Sequence, residues 1–503
     1  IEKHAALRAE LIAEGHEFVS ETDAEVVAHL LRAHYAGSLV DAVAASLGRL
    51  DGHFAFIAVH RDEPDLLVGT RRQCPLLVGI GDGETFLASS LTAFAGETRR
   101  AKIIDDDEIV AITPDEVRIA TADGEVIDRG AVVVPGEDDA ADKDGWETFM
   151  LKEINEQPVA VGKTIAANTK SGGLGLGVLD DAELARIRRL VIVACGTAYH
   201  AAQVGCYAIE EWAGIPCETE VASEWRYRHP LIEEGTLVIG ISQSGETADT
   251  LASLRLARRL GARTLAITNS PGSQITREVD AVLYTHAGVE VGVAATKTFT
   301  TQVTLMYLLA LRLAEVRDRL GKEVRDDLMD EVRELPYTLF KTLESLQGVE
   351  EVAQRHHAKS FFFFLGRHAG LPVCLEGALK LKEVSYIPTE SYAAGEMKHG
   401  PIALLEDETP VVCVATRSHV SDKLSSNLQE VRARGAEVIA IATAGDEQIR
   451  ENADHVIYVP ATHPLLQAVV AVIPLQLLAY RIATLRGLDV DQPRNLAKTV
   501  TVE

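Results

Sequence analysis

The sequence predicts an α/β protein in which two doubly wound, parallel-sheet lobes follow a smaller α+β domain. Three observations carry that expectation. Beyond residue 147, short runs of β-branched residues (190–194, 236–241, 264–268, 281–284) alternate with long helical runs. That is the pattern of strands covered on both faces by helices. The same order then recurs about 170–174 residues downstream, with 361–366 matching 191–196, 411–416 matching 237–242 and 434–441 matching 260–267. Repetition of strands and crossovers at one spacing points to a duplicated lobe. Before residue 134, by contrast, apolar and polar residues alternate over the short runs 52–59, 65–70 and 84–89, closed by Gly and Asp turns. Half-buried strands read this way.

The elements follow in chain order. Helices are expected over 22–34 and 41–50 within a front domain of residues 1–134. Residues 135–146 are acidic and carry no bulky apolar side chain until Trp146, so they form a linker. The first lobe runs over 147–328, the second over 329–486, and a polar tail over 487–503. The most apolar stretch, 464–485, is interrupted by Gln467, Pro474, Gln476 and Arg481, which favours a buried helix over a membrane span.

Composition narrows the function. The 503 residues carry a net charge of −26, with 47% hydrophobic and 25% charged residues. Such an acidic chain is a poor partner for nucleic acid or an anionic membrane. Six cysteines lie scattered without a CxxC pair, which suits a reducing cytoplasm and offers neither a zinc set nor a disulfide framework. The first residues are charged, with no signal peptide, and the absence of an initiator Met at Ile1 suggests a fragment or a processed form.

The most informative segment is 242–247, Ser-Gln-Ser-Gly-Glu-Thr, between an apolar strand and an amphipathic run. Backbone N–H groups at a helix start, surrounded by hydroxyls, suit a phosphate. No Lys is present and no GxxxxGK[ST] pattern appears, so a sugar phosphate fits better than a triphosphate. The plainer reading is a helix-capping box. Against it stands Cys195-Gly196-Thr197 at the end of the first strand of the same lobe, where an open α/β sheet binds ligands. The second lobe has Thr-Arg-Ser-His-Val at 416–420 instead, so one sugar site per chain is expected.

Glu376, Lys380 and Glu383 share one helix face at spacings of four and three. A surface salt-bridge ladder reads identically. The polar, Gly-rich loop 391–401 with His399 follows closely, however, and a carboxylate, a lysine and a histidine are what aldose–ketose isomerisation needs. In the tail, a Pro and an alternating apolar ending suggest order, with Arg494 or Lys498 laid into a site. A lysine there could form an imine with an open-chain ketose.

Taken together, 195–197, 242–250, 290–302, 376–383, 393–401 and 491–498 resemble the glutamine–fructose-6-phosphate aminotransferases, two sugar-isomerase (SIS) lobes behind an N-terminal-nucleophile, type 2 glutamine amidotransferase domain. The resemblance implies that Thr197, Ser242, Gln243, Ser244 and Thr247 hold the sugar phosphate. It implies that Glu383 is the base moving a proton between C1 and C2, aided by Lys380. His399 would open the ring from a neighbouring subunit of a homodimer, and Lys498 would form the imine. The substrates implied are fructose 6-phosphate and glutamine or ammonia, with no cofactor and no metal. Ala198 and Ala295 stand where many relatives have serine, removing one hydroxyl each.

Ile1-Glu2-Lys3-His4 resembles the residues immediately after the family's Asn-Gly oxyanion hole, so the glutaminase domain is expected to be partial. Asp23 matches the carboxylate that binds the glutamine amine. The catalytic cysteine would precede residue 1, and Cys74 does not replace it. This stretch alone is thus expected to retain isomerisation and ammonia-dependent amination only. Two other readings are a sugar-phosphate-sensing regulator, which needs no Glu383, His399 and Lys498 set, and a fructosamine-type deglycase, which lacks the front domain.

Overall fold

Side-chain periodicity and burial agree along most of the chain, which the computed structural model describes except at residues 90–92, 95, 134–141, 171–172, 175–178, 347 and 501–503. The expected linker falls largely on 134–141 and so lies outside the described residues. Two bodies separate by their internal contacts: Ile1–Ala140 with Glu246–Ala248 and Thr499–Glu503, and Ala141–Gly245 with Asp249–Lys498.

The first body is α+β. Helices His4–Ala13, Glu25–His34 and Leu39–Leu47 precede two four-stranded antiparallel sheets. One sheet orders Phe54–His60, Glu63–Arg72, Ile109–Ile112 and Val117–Ala120; its ladder pairs Phe56 with Thr70 and Gly69 with Val110. Leu7, Val26, Leu30, Val43, Phe54 and Val68 form the core between helices and sheet. One face of each strand goes inward because successive side chains alternate. The two helices begin at Glu25 and Leu39, a few residues from the positions the periodicity suggests, and Ser38 caps the second through the Asp41 N–H.

The second body holds two five-stranded parallel sheets. Strands β1 (Arg189–Ala194), β2 (Cys217–Val221), β3 (Thr236–Ile241), β4 (Arg263–Thr268) and β5 (Ala281–Tyr284) build the first, in order β2-β1-β3-β4-β5. Strands β6 (Phe362–Gly366), β7 (Thr389–Ala393), β8 (Pro410–Ala415), β9 (Glu437–Thr443) and β10 (His455–Val459) build the second as β7-β6-β8-β9-β10. The two orders are the same, as the sequence repeat requires. Every residue of β3 and β8 is buried, which is why these strands are continuous apolar runs without alternation.

Helices Lys297–Val316 and Gln467–Leu485 run through the shared core of both lobes. The latter is long and apolar enough to cross a membrane, yet 78% of its apolar window is buried inside the protein. Gln476 within it is fully buried and receives the Gln157 amide at 2.8 Å. None of the six cysteines forms a disulfide.

Candidate active site

Strands β1 and β3 are neighbours in register, Ala194 beside Ile241, so the turns that follow them leave adjacent strand ends. The chain crosses from β1 to β2 on one side and onward to β3 on the other. A crevice opens at such a switch point, and ligands of α/β sheets bind there. Glycine suits both turns, and only glycine fits the second. Gly196 has φ +54° and Gly245 φ +69°, and a Cβ on Gly245 would come 2.1 Å from the Ser273 Oγ. Close approach of backbone to ligand or neighbour is bought by the missing side chain.

The turn is held by its own polar groups. The Gly245 N–H donates to the buried Ser242 Oγ at 3.0 Å. The Gln243 carbonyl accepts from Asn269 N (3.0 Å), Thr268 Oγ1 (3.2 Å) and Ser270 Oγ (3.2 Å). Gln243 and Ser244 are half-buried at the strand end. Thr247 falls in Glu246–Ala248, which groups with the first body.

Above the end of β1, two helices face each other. Gly196–Ala208 presents Thr197 and His200 from the first lobe; Gly370–Ser385 presents Glu376, Lys380 and Glu383 from the second. Thr197 Oγ1 donates to Glu376 Oε1 at 2.9 Å, and His200 Nδ1 lies 2.8 Å from Glu376 Oε2. Lys380 Nζ sits 2.5 Å from Glu383 Oε2, 3.5 Å from Glu376 Oε1 and 3.3 Å from Thr197 Oγ1. Glu376 and Lys380 are fully buried, while the Glu383 side chain keeps 21% of its exposure. Glu383 is therefore the carboxylate of the three helix positions that a solute can reach.

Burial works against both charges here, yet each persists. Lys380 is held above the ordinary lysine range because Glu383, Glu376 and Glu290 outweigh its desolvation. Glu376, likewise opposed by burial, is held below the usual carboxylate range by Lys380, His200 and Thr197. Buried charges survive only when paired and hydrogen-bonded this way. The participation of Glu290 links this network to a second one.

That second network forms where the tail returns. Lys498 Nζ donates to Glu290 Oε2 at 2.5 Å and to the Gly292 carbonyl at 2.7 Å. Glu290 Oε1 accepts from the N–H groups of Thr296 (2.9 Å) and Thr298 (3.1 Å), and Oε2 from Thr298 Oγ1 (2.8 Å). These donors open the helix Lys297–Val316, whose free N–H groups and positive dipole end favour a carboxylate. Burial opposes ionisation of Glu290, but Lys498 and the helix donors bring it down to about 2. Glu153 lies behind, its Oε1 accepting from Val291 N (2.6 Å) and Gly292 N (3.1 Å). Burial and the Glu290 charge push Glu153 up to about 8, against the pull of Lys498.

A pH effect on stability follows. With its pKa raised from 4.5 to about 8, folded Glu153 binds more proton than the unfolded chain between those values. Stability therefore declines as pH rises across that window, at most by about 1.4 kcal/mol per unit for one group. Glu153→Gln should flatten the decline between pH 5.5 and 8 in urea titrations. An unchanged pH slope in that variant would rule out Glu153 as its source.

The other residues singled out by the sequence take no part in the hydrogen bonds and ion pairs described above. His399 is exposed at the end of a 3-10 turn, Ala394–His399, and makes no hydrogen bond or ion pair among the described residues. Asp23, in the first body, accepts a hydrogen bond from the α-ammonium of Ile1, which lowers its pKa. Arg494 stacks over Tyr386 at 4.3 Å, so Lys498 is the tail cation that reaches the carboxylates. Three participants carry no role in the sequence reading. His200 lies one helical turn from Thr197, on a turn read there for its backbone alone; Glu290 opens a quoted motif without a function; Glu153 has no local signal.

The family comparisons match three separate segments of the chain. An SIS domain model matches residues 183–312 and 356–486, and a glutamine amidotransferase domain model matches residues 1–96. The glutamine–fructose-6-phosphate aminotransferase (isomerizing) of Streptomyces coelicolor is 51% identical over all of this chain and 83% of its own length. That of Thermus thermophilus is 48% identical with the same coverage. Among solved structures, the C-terminal domain of the Francisella tularensis glucosamine-fructose-6-phosphate aminotransferase superposes with TM-score 0.67 at 40% identity, covering 70% of this chain and all of that one. A glucosamine-6-phosphate deaminase from Thermotoga maritima gives TM-score 0.57 at 26% identity, covering 70% and 99%.

Proposed function

The chain belongs to the isomerizing glutamine–fructose-6-phosphate aminotransferases, enzymes of amino-sugar synthesis, and from that premise we propose how its own residues divide the work. Ser242, Gln243 and Ser244, with the backbone at Thr197, receive the phosphate of fructose 6-phosphate at the ends of β1 and β3. Lys498 forms the imine with C2 of the opened sugar, releasing water. Glu383 takes a proton from C1 and returns it to C2, turning the ketose skeleton into an aldose. Lys380 keeps a positive charge beside that carboxylate through both transfers. The observation that carries the proposal is the buried Lys380 charge, 2.5 Å from the reachable Glu383 and coupled electrostatically to Glu290. A sugar-sensing regulator needs a phosphate turn but no such paired acid and lysine.

In the first body, Asp23 is proposed to bind the α-amine of glutamine. For residues 1–503 by themselves, the proposal is limited to isomerisation and to amination by free ammonia. His399, exposed and unpaired, is proposed to serve the site of a second copy in a homodimer. Purified chain should convert fructose 6-phosphate to glucose 6-phosphate, add ammonia slowly at high ammonium, and leave glutamine intact. Inactive His399→Ala and Glu383→Gln chains should regain activity when mixed, since some sites then carry neither lesion. No isomerisation by the unaltered chain would refute the assignment of the site, and failure to complement would confine His399 to its own chain.

A further inference from the structure

A second cluster of ionisable groups lies at the opposite, amino-terminal edge of the second lobe's sheet. Glu437 is the first residue of β9, His455 the first of β10, and His356 the last of the helix Val349–His356. Their ligand atoms all fall within 4.8 Å of one another. His455 Nε2 is 2.9 Å from Glu437 Oε1, and His356 Nε2 is 3.8 Å from the same oxygen. The His356 side chain is fully buried, and neither of its ring nitrogens has a hydrogen-bond partner. Buried polar groups are nearly always satisfied, and one left unpaired calls for a reason such as an ion. Its imidazole is aimed at a carboxylate it does not quite reach.

We propose that His356, Glu437 and His455 form a binding site for a divalent transition metal ion, zinc foremost, with solvent as the fourth ligand. Two imidazoles and one carboxylate are a donor set that zinc accepts at bond lengths of about 2.0–2.2 Å. Tetrahedral bonds of about 2.1 Å set ligand atoms about 3.4 Å apart, so the 2.9 Å pair would open slightly and the wider pairs would close. One group stands in the way. Arg355 Nε donates to Glu437 Oε1 at 2.5 Å, but its side chain is 54% exposed and can turn to solvent once a cation takes over the carboxylate. The ion would pin the end of the helix Val349–His356 to the starts of two strands, and its site shares no residue with the groups assigned to catalysis. The cysteine pattern gives no hint of it, because the three ligands lie 81 and 18 positions apart in sequence and contain no thiol.

The test uses chelator-treated full chain titrated with Zn²⁺ by calorimetry, with Co²⁺ absorption as the geometric probe. One equivalent should bind, raise the thermal midpoint reversibly with chelator, and give the intense visible bands of four-coordinate Co²⁺. His455→Gln, at a half-buried strand start, and Glu437→Gln, at a buried one, should each weaken that equivalent at least tenfold; two variants guard against one failing to fold. Absence of saturable binding overturns the site, as does a bound equivalent that survives in whichever variants fold.

Discussion

Glu383→Gln should slow interconversion of fructose and glucose 6-phosphates by about 10²–10⁴-fold, the usual contribution of a positioned general base. The amide preserves shape and keeps a polar oxygen facing the Lys380 ammonium, which lies 2.5 Å from Glu383 Oε2. What disappears is the ability to take a proton from carbon. Sugar affinity should change little, because the phosphate contacts proposed at Ser242–Ser244 lie on another strand end. Solvent-deuterium incorporation at C1 and C2, followed by NMR, separates the two effects. Exchange at the native rate in the variant would remove Glu383 from the role of base and leave Glu376, which is fully buried and already bonded to Thr197 and His200, as an unsuitable substitute.

Lys498→Met should have two large consequences with one cause. No amine would remain to condense with the ketose, so borohydride in the presence of fructose 6-phosphate would no longer attach sugar covalently to the chain. Glu290 would also lose the cation that, against burial, helps hold it at about 2. Breaking a buried pair by deleting one partner typically costs about 3–5 kcal/mol. The helix donors from Thr296 and Thr298 would still satisfy part of the carboxylate, which places the expected loss toward the lower end. Denaturant titration measures that loss independently of activity. A variant as stable as the parent would show that the ion pair contributes little net energy; retained sugar trapping would show that another lysine forms the imine.

Much of this was legible beforehand because it is local. Continuous β-branched runs mark strands buried on both faces, and their repetition marks two lobes with the same strand order. Gly196 and Gly245 mark turns at positive φ, a conformation glycine adopts most readily. The helix face of Glu376, Lys380 and Glu383 follows from spacing alone. Helix starts in the first body were displaced by a few residues, at Glu25 and Leu39, because capping at Ser38 rather than apolar periodicity sets the second boundary.

Spacing could not tell which of those three helix residues is reachable. Burial decided that, placing Glu376 and Lys380 inside and leaving Glu383 partly open. Nor could it pair Lys498 with Glu290, 208 positions earlier, or set Glu153 behind them. The sequence by itself determined the lobes, the strand ends and the residue types proposed for proton and imine chemistry, since periodicity and turn geometry act between near neighbours. Tertiary structure alone decided which charges meet and which stay charged, because an ionisable group's state depends on desolvation and on partners brought together through space.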